Sequence, residues 1–489
     1  MATTTEQIQD YGHFIGGAAE APGETFDDTD PFSGDVVARV SAGDREDARR
    51  AVEAAAAAFS AWSQASPETR QAIFLKAADI LESRGDEVVD LLARETGSTF
   101  GFAMFQLHFV AGLLRQAAAI PYAPIGQVLP TDTPGRMAMG IRQPVGVVGA
   151  IAPWNAAQIL SARSITAPLA LGNTVVLKPS EWSPVVGGLI WGEIFGEAGL
   201  PEGVLNVVTH APGEAAPIAD EFTENPAVRR INFTGSTATG RKLAEAAGRN
   251  LKRIVLELGG YNPLIVLADA DVEYAVNASA FGSFMHQGQI CMSTRRIIVE
   301  RSIADEFSQR LAEKTAGLKT GDPKEPDTVI GPLINAQALK TVRSRVEDAV
   351  AKGAKVLAGG DAVGPAFQAT LLADVPEDSE FAREETFGPV AAIEVVDSAD
   401  EAVRRANATS YGLSAGIITT DPDRGFALAR ELESGIVHVN DQTIADEPQM
   451  PFGGVKGSGY GRFGGQAVID EFTELRWITV QSGSHPYPF

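Results

Sequence analysis

Five apolar runs between residues 145 and 260 each give way to a stretch with helical spacing. They are "VGVVGAIA" (145–152), "TVVLKPS" (174–180), "GVLNVVT" (203–209), "RRINFTGS" (229–236) and "RIVLELGG" (253–260). Strands this apolar on both faces need helices on both sides, which is the parallel arrangement of an α/β fold. A second alternating series starts with "PLIVLAD" near 263. It continues with a helix at 272–287, the strand "RRIIVE" (295–300) and helices at 302–316 and 335–352. Strands near 391–396, 414–419 and 435–440 follow, with helices at 398–408 and 422–432. Helical periodicity also covers 45–64, 68–94 and about 103–119. The pattern breaks at 121–144, a proline-rich excursion with strand-like fragments. The tail "DEFTELRWITVQSG" ends in an alternating strand suited to pair with that excursion or with another copy of the chain. The expected architecture is therefore α/β, with two parallel sheets and a small β arm.

Charge narrows the partners. The net charge is −23 and the isoelectric point about 4.7, so the chain repels phosphate backbones and anionic membranes. We expect no nucleic-acid and no membrane partner. The opening "MATTTEQIQDYGHFIGG" has neither the basic region nor the apolar core of a leader peptide. The uncharged run 143–162 is interrupted by prolines, Asn and Gln and reads as strand, turn and helix start. The six histidines show no metal-ligand spacing, so no metal is expected. A single cysteine excludes an intramolecular disulfide and fits a reducing, cytoplasmic setting.

Several segments carry chemistry-bearing residues at strand ends. "FTGSTATG" (233–240) is a strand end, a Gly-rich turn and a helix start, which suits a phosphate. Ser236 or Thr237 would cap that helix. The alternative is a plain strand–helix junction. "GYGRFG" (459–464) matches the dinucleotide fingerprint letter by letter but follows a loop instead of a strand, and is rejected. In "LKPSE" (177–181), Lys178 and Glu181 could hold ribose hydroxyls, with the carboxylate disfavouring a 2′-phosphate; otherwise they form a solvated charge pair. Glu257 sits in the apolar run "LELGG", where a carboxylate is costly without a role or a partner. Cys291, in "GQICMST", is either a small buried hydrophobe or a nucleophile. His286 is close to it in sequence, but the context does not suit a thiol–imidazole pair. Asn155 in "PWN" is a turn residue or an oxyanion donor.

Together these segments resemble the aldehyde dehydrogenase superfamily along essentially the whole chain. The matching motifs, in order, are "PWN", "KPSE", "FTGST", "LELGG", "GQIC", "EETFGP" (384–389) and "PFGGVKGSG" (451–459). The resemblance implies Cys291 as nucleophile, Glu257 as general base and Asn155 as oxyanion donor. It implies NAD, with NADP less favoured, held by Trp154, Lys178, Glu181, Gly213, Gly235, Ser236, Leu258, Glu385 and Phe387. It also implies a Rossmann-like cofactor domain (1–123 and 145–257), a Rossmann-like catalytic domain (258–457), and oligomerisation or bridging segments (124–144 and 458–489) of a homodimer or homotetramer. The chain departs from many relatives at two positions. A Glu after "SGxGR" and a Lys after "PWN" are proposed to relay protons, and Phe463 and Ser164 stand there.

Within the superfamily, "GSFMHQGQICMST", "GYGRFGGQAVIDEFTELRWIT" and the ending "YPF" look most like bacterial vanillin, salicylaldehyde and benzaldehyde dehydrogenases. Ala156, Ile159, Leu160 and Arg163 share one helical face, which in the superfamily lines the substrate tunnel. The resemblance implies oxidation of an aromatic aldehyde to the acid through a cysteine-bound thioester. Arg163 would donate to a ring oxygen, Ala156 and Ala157 would leave room for the ring, and Phe109, Leu113 and Met285 would be walls. Against this stands Arg163 paired with a carboxylate at the tunnel mouth. An aliphatic semialdehyde dehydrogenase, with Arg163 clamping a distal carboxylate, is the alternative enzyme. A non-catalytic relative leaves the Cys291, Glu257 and Asn155 trio without a purpose, and a thiol hydrolase leaves "KPSE" and "FTGST" without one.

Overall fold

The computed structural model describes residues 8–489. Residues 1–7, the start of the segment read as lacking leader features, lie outside the described residues. Five parallel strands form the centre of the first sheet. Their spatial order is Arg253–Glu257, Val228–Thr234, Val147–Ile151, Thr174–Lys178 and Leu205–Val207. Val147–Ile151 comes first of the five in the chain yet sits in the middle. Connections leave it in both directions, so a crevice opens at the carboxyl ends of the strands where the order reverses. Those ends carry "PWN", "KPSE", "FTGST" and "LELGG".

The helix Ala157–Ala170 follows "PWN" and is buried along its whole length. It has no polar face because it has no solvent side. It belongs to an apolar cluster that also packs against Met285 and Cys291. Ser236 caps the helix Thr237–Arg249, its Oγ accepting from the Thr239 N–H at 3.2 Å.

The chain crosses from the first sheet to the second through residues 258–261. The second sheet runs Lys355–Ala358, Thr370–Ala373, Val390–Val396, Thr294–Glu300, Asn262–Val266, Ser414–Ile418 and Ile436–Val439. All neighbours are parallel except the first pair. The entry of Thr294–Glu300 brings Cys291 to the crevice. Fold and connectivity are those expected of two Rossmann-like parallel sheets with a β arm.

The arm is a three-stranded antiparallel sheet. Arg136–Pro144 lies between Gly126–Leu129 and Thr473–Gln481. The tail strand thus pairs with the proline-rich excursion. The residues just before it do not belong to the arm. Gly459–Tyr460 pairs with Arg253–Glu257, and Gly465–Glu471 is a helix. Gly459, at φ +111, lets the chain lie against that strand; a Cβ there would stand 2.0 Å from the Leu256 carbonyl oxygen. Short N-terminal strands, among them Thr25–Thr29 and Val36–Ser41, form a further small sheet that periodicity did not reveal. The run 68–94 is two helices, Pro67–Ser83 and Gly85–Thr96.

Candidate active site

The crevice contains a cavity of about 250 Å³ lined by Trp154, Asn155, Gly235, Ser236, Glu257, Leu258, Cys291, Glu385 and Phe387. The predicted trio and most of the predicted cofactor residues therefore share one wall. Lys178, Glu181 and Gly213 lie outside this lining.

The cysteine loop is built by an abrupt change of backbone. After the helix Val272–Phe284, His286, Gln287 and Gly288 take φ of +50, +53 and +64. Left-handed conformations at the two non-glycine residues cost about 1–3 kcal/mol each and need outside support. Gln287 Nε2 donates to the carbonyls of Gly97 (2.8 Å) and Pro332 (3.0 Å). Gln289 Oε1 accepts from the Ile334 N–H at 3.0 Å. Asn155 Nδ2 donates to the Gln289 carbonyl at 3.0 Å, which uses one of its two hydrogens. Asn262 Nδ2 donates to the carbonyls of Cys291 (2.8 Å) and Ser293 (3.0 Å). Among the described residues the Cys291 backbone N–H meets no acceptor. His286 stacks on Phe102 at 4.4 Å, and neither ring nitrogen has a partner among the described residues. It does not pair with Cys291.

Glu257 is buried, and Cys291 is partly exposed to the cavity. Burial pushes the Glu257 carboxyl up to about 8, against the pull of the Arg163 charge, the Gly454 N–H and the Arg462 charge. Its Oε1 accepts from that N–H at 3.2 Å, and its Oε2 is buried without a protein partner. Burial also pushes the Cys291 thiol up, and the Glu257 and Glu385 charges add to the rise. Glu385 is itself pushed up to about 7 by burial, with its Oε1 accepting from the Gly260 N–H at 3.1 Å. Trp154 meets the edge of Phe387 at 5.7 Å between ring centres.

Lys178 is buried, and its ammonium is not left as half of a solvated pair. Nζ donates to the Pro179 carbonyl at 3.0 Å and to His210 Nε2 at 2.6 Å. His210 Nδ1 in turn faces the Ala211 carbonyl at 2.9 Å, so the ring is a neutral acceptor for Lys178. Glu181 Oε2 lies 3.9 Å from the same Nε2. Burial lowers Lys178 to about 8 and His210 to about 4. Gly213 occupies an exposed turn at φ +87, where a Cβ would meet nothing.

The substrate side differs from expectation at one residue. Arg163 is not a free donor: its Nη2 is 2.5 Å from Asp446 Oδ2, both side chains are buried, and the guanidinium lies 4.1 Å over the Phe452 ring. Phe109 is at 5.8 Å on the same group. Asp446, Phe452 and Met285 line a second cavity of about 630 Å³, together with Asp441 and Glu447. Ala156, Ile159 and Leu113 are buried in the apolar cluster that packs against Cys291. Phe463 is buried and packs near Phe472, and the Ser164 hydroxyl donates to the Ser161 carbonyl at 2.7 Å. Neither side chain is hydrogen-bonded to Glu257.

Three contributors escaped the sequence reading. Asn262 stands two residues after "LELGG" and could have been suspected from a buried amide at a strand start. His210 and Asp446 gave no signal, because their partners lie far away along the chain.

The aldehyde dehydrogenase family model matches residues 18–478. A vanillin dehydrogenase of Pseudomonas fluorescens is 49% identical over 95% of this chain and 96% of its own. A benzaldehyde dehydrogenase [NAD(+)] of Pseudomonas putida is 42% identical over 100% of each. The crystal structure of a salicylaldehyde dehydrogenase from Pseudomonas putida G7 complexed with salicylaldehyde superposes with a TM-score of 0.96 at 42% identity, covering 99% of this chain and 100% of that one.

Proposed function

This chain belongs to the aldehyde dehydrogenase family, and we propose that it oxidises uncharged aromatic aldehydes of the vanillin, salicylaldehyde or benzaldehyde type to their acids with NAD. The observation that carries the substrate class is the Arg163–Asp446 pair in the aromatic wall. A cation already neutralised by a carboxylate is a poor clamp for a second carboxylate. The pair leaves hydrogen-bonding capacity for a ring hydroxyl or methoxy oxygen, and Asp441 and Glu447 nearby repel anions. The same pair argues against the semialdehyde alternative.

The residues fit NAD. The capped helix Thr237–Arg249 presents first-turn N–H groups to a phosphate. Lys178 and Glu181 offer a donor and an acceptor to ribose hydroxyls, and Glu181 disfavours a 2′-phosphate. Gly235, Ser236, Leu258, Glu385, Phe387 and Trp154 supply the inner wall, with Gly213 at the outer turn. When bound, NAD would supply the hydride acceptor for the carbon attached to Cys291.

Glu257 shares the cavity with Cys291 and serves as general base once ionised, which burial delays until about pH 8. Cys291 Sγ attacks the aldehyde carbon. The second Asn155 Nδ2 hydrogen and the Cys291 backbone N–H receive the developing oxyanion. After oxidation the acyl group remains on Cys291 as a thioester. Glu257 removes a proton from the water that cleaves it, and the acid leaves. Family relay positions are closed by Phe463 and Ser164, so the proton leaves Glu257 through cavity water.

Our reading of the domains, a cofactor half of 1–123 and 145–257 and a catalytic half of 258–457, puts this chemistry between the two halves, with the arm outside it. Trp477, Leu475 and Val128 are exposed on that arm, which supports self-association as a dimer or tetramer. No helix among the described residues is long and apolar enough to cross a membrane. The lone cysteine supports a cytoplasmic site of action. NADH formation with vanillin, salicylaldehyde, benzaldehyde and succinate semialdehyde, beside Cys291→Ala, tests the proposal. Ring aldehydes should be preferred and all turnover lost in the variant; preference for the semialdehyde would overturn the substrate class.

A further inference from the structure

Arg295 is buried to 1% exposure, and among the described residues no carboxylate lies within ion-pair distance of it. A buried guanidinium without an anion is expensive, so its position calls for a reason. Its bonds go to backbone carbonyls only. Nη1 donates to Gly388 at 2.6 Å and more weakly to Val390, and Nη2 donates to Gly288.

Those carbonyls belong to the two loops that face each other across the cavity. Gly288 lies in the reversed turn that delivers Cys291, and Gly388 follows Phe387 in the loop that also carries Glu385. The two loops touch at this point. A Cβ on Gly288 would stand 2.2 Å from the Gly388 carbonyl oxygen and 2.8 Å from Arg295 Nη1. A lysine could not reproduce the contact, because its single nitrogen lacks the planar fork that reaches two carbonyls at once. The same guanidinium and that of Arg345 are the cations that act on Glu385. Trp154 on Phe387 and Asn155 on Gln289 also border the cavity, and Arg345 donates to the Glu385 carbonyl, but of these guanidinium contacts only that of Arg295 joins the two loops.

We propose that Arg295 is a positioning residue that staples the nucleophile loop to the cofactor loop, so that the state of one is transmitted to the other. The staple is read from the loops' geometry; its role in transmitting cofactor binding rests on the NAD reading above. It touches neither substrate nor thiol and acts only through Gly288 and Gly388.

The chain has one cysteine, so alkylation by iodoacetamide reports on the nucleophile loop alone. In Arg295→Met, alkylation without cofactor should quicken several-fold as the loop loosens. In the wild type, saturating NAD should change the alkylation rate; in the variant that response should largely disappear. Misplacing the thiol should lower kcat by ~10- to 100-fold, with aldehyde KM little moved. A loss of thermal stability by itself would not produce this pattern. Arg295→Lys keeps the charge and should fold with an intermediate response, and it serves if the methionine variant does not fold. Unchanged basal alkylation in a folded variant overturns the staple. A wild type that binds NAD without any change in alkylation overturns the transmission. A wild type that binds no NAD overturns the cofactor reading, and the basal rate still decides the staple.

Discussion

Replacing Glu257 by Gln should make the protein more stable while stopping its turnover. The carboxyl is fully enclosed and pushed up from 4.5 to about 8. An acid shifted upward by folding stays protonated in the native protein after the unfolded chain has ionised. Folding stability is therefore greatest below about 4.5, declines through the window up to about 8, and then levels off. At neutral pH the cost is about 3 kcal/mol, from about 1.4 kcal/mol for each pH step above the unfolded value. Gln retains the acceptor oxygen for the Gly454 N–H and cannot ionise. Glu257→Gln should thus exceed the wild type by about 3 kcal/mol near neutrality and match it at acid pH. Urea midpoints at roughly pH 5, 7 and 9 measure the difference. The same variant should release about one NADH per active site in a burst and then stall, because the thioester has lost its base. If the two proteins lose stability in parallel as pH rises, Glu257 is not the dehydrated acid described here, and its assignment as base weakens with it.

Asp446→Ala should unmask Arg163: kcat/KM for succinate semialdehyde should rise ~10-fold while that for vanillin falls, and an unchanged ratio would refute the neutralised-pair argument. His210→Leu should raise the KM for NAD ~10-fold with little change in kcat, since Lys178 loses the acceptor that orients it; isothermal titration with NAD checks it independently. The Cys291 thiol lies above the usual range. Without cofactor, iodoacetamide should label it more slowly at neutral pH than it labels a free small thiol, with the rate still rising through alkaline pH; a plateau near neutrality would contradict the burial argument.

The parallel sheets were legible because buried strands announce themselves as uninterrupted apolar runs, as at 147–151 and 174–178. Asn155 and Glu257 drew attention because they lie at or just past the end of such a run, whereas Cys291 precedes a strand and its role came only from the family resemblance. The N-terminal strands were not, being short and half exposed. Arg163 was seen but not its partner, since Asp446 lies 283 positions away and pairing at that range depends on how the two sheets face each other. His210 looked like one more scattered histidine until strand order placed it beside Lys178. The break at 84 within the run 68–94 was hidden by helical residues on both sides.

The acidic lining of the outer cavity has a kinetic consequence. On the proposed substrate path through this cavity, a neutral aldehyde meets no electrostatic penalty from Asp441 and Glu447, Asp446 being paired with Arg163. The product carries a new negative charge that was absent on the way in, and it is formed inside a chain of net charge −23. On that path the cavity would work as a check valve: Asp441 and Glu447, indifferent to the incoming molecule, would drive the outgoing one into solvent. Accumulated acid should inhibit weakly, and raised salt, by screening this repulsion, should strengthen that inhibition.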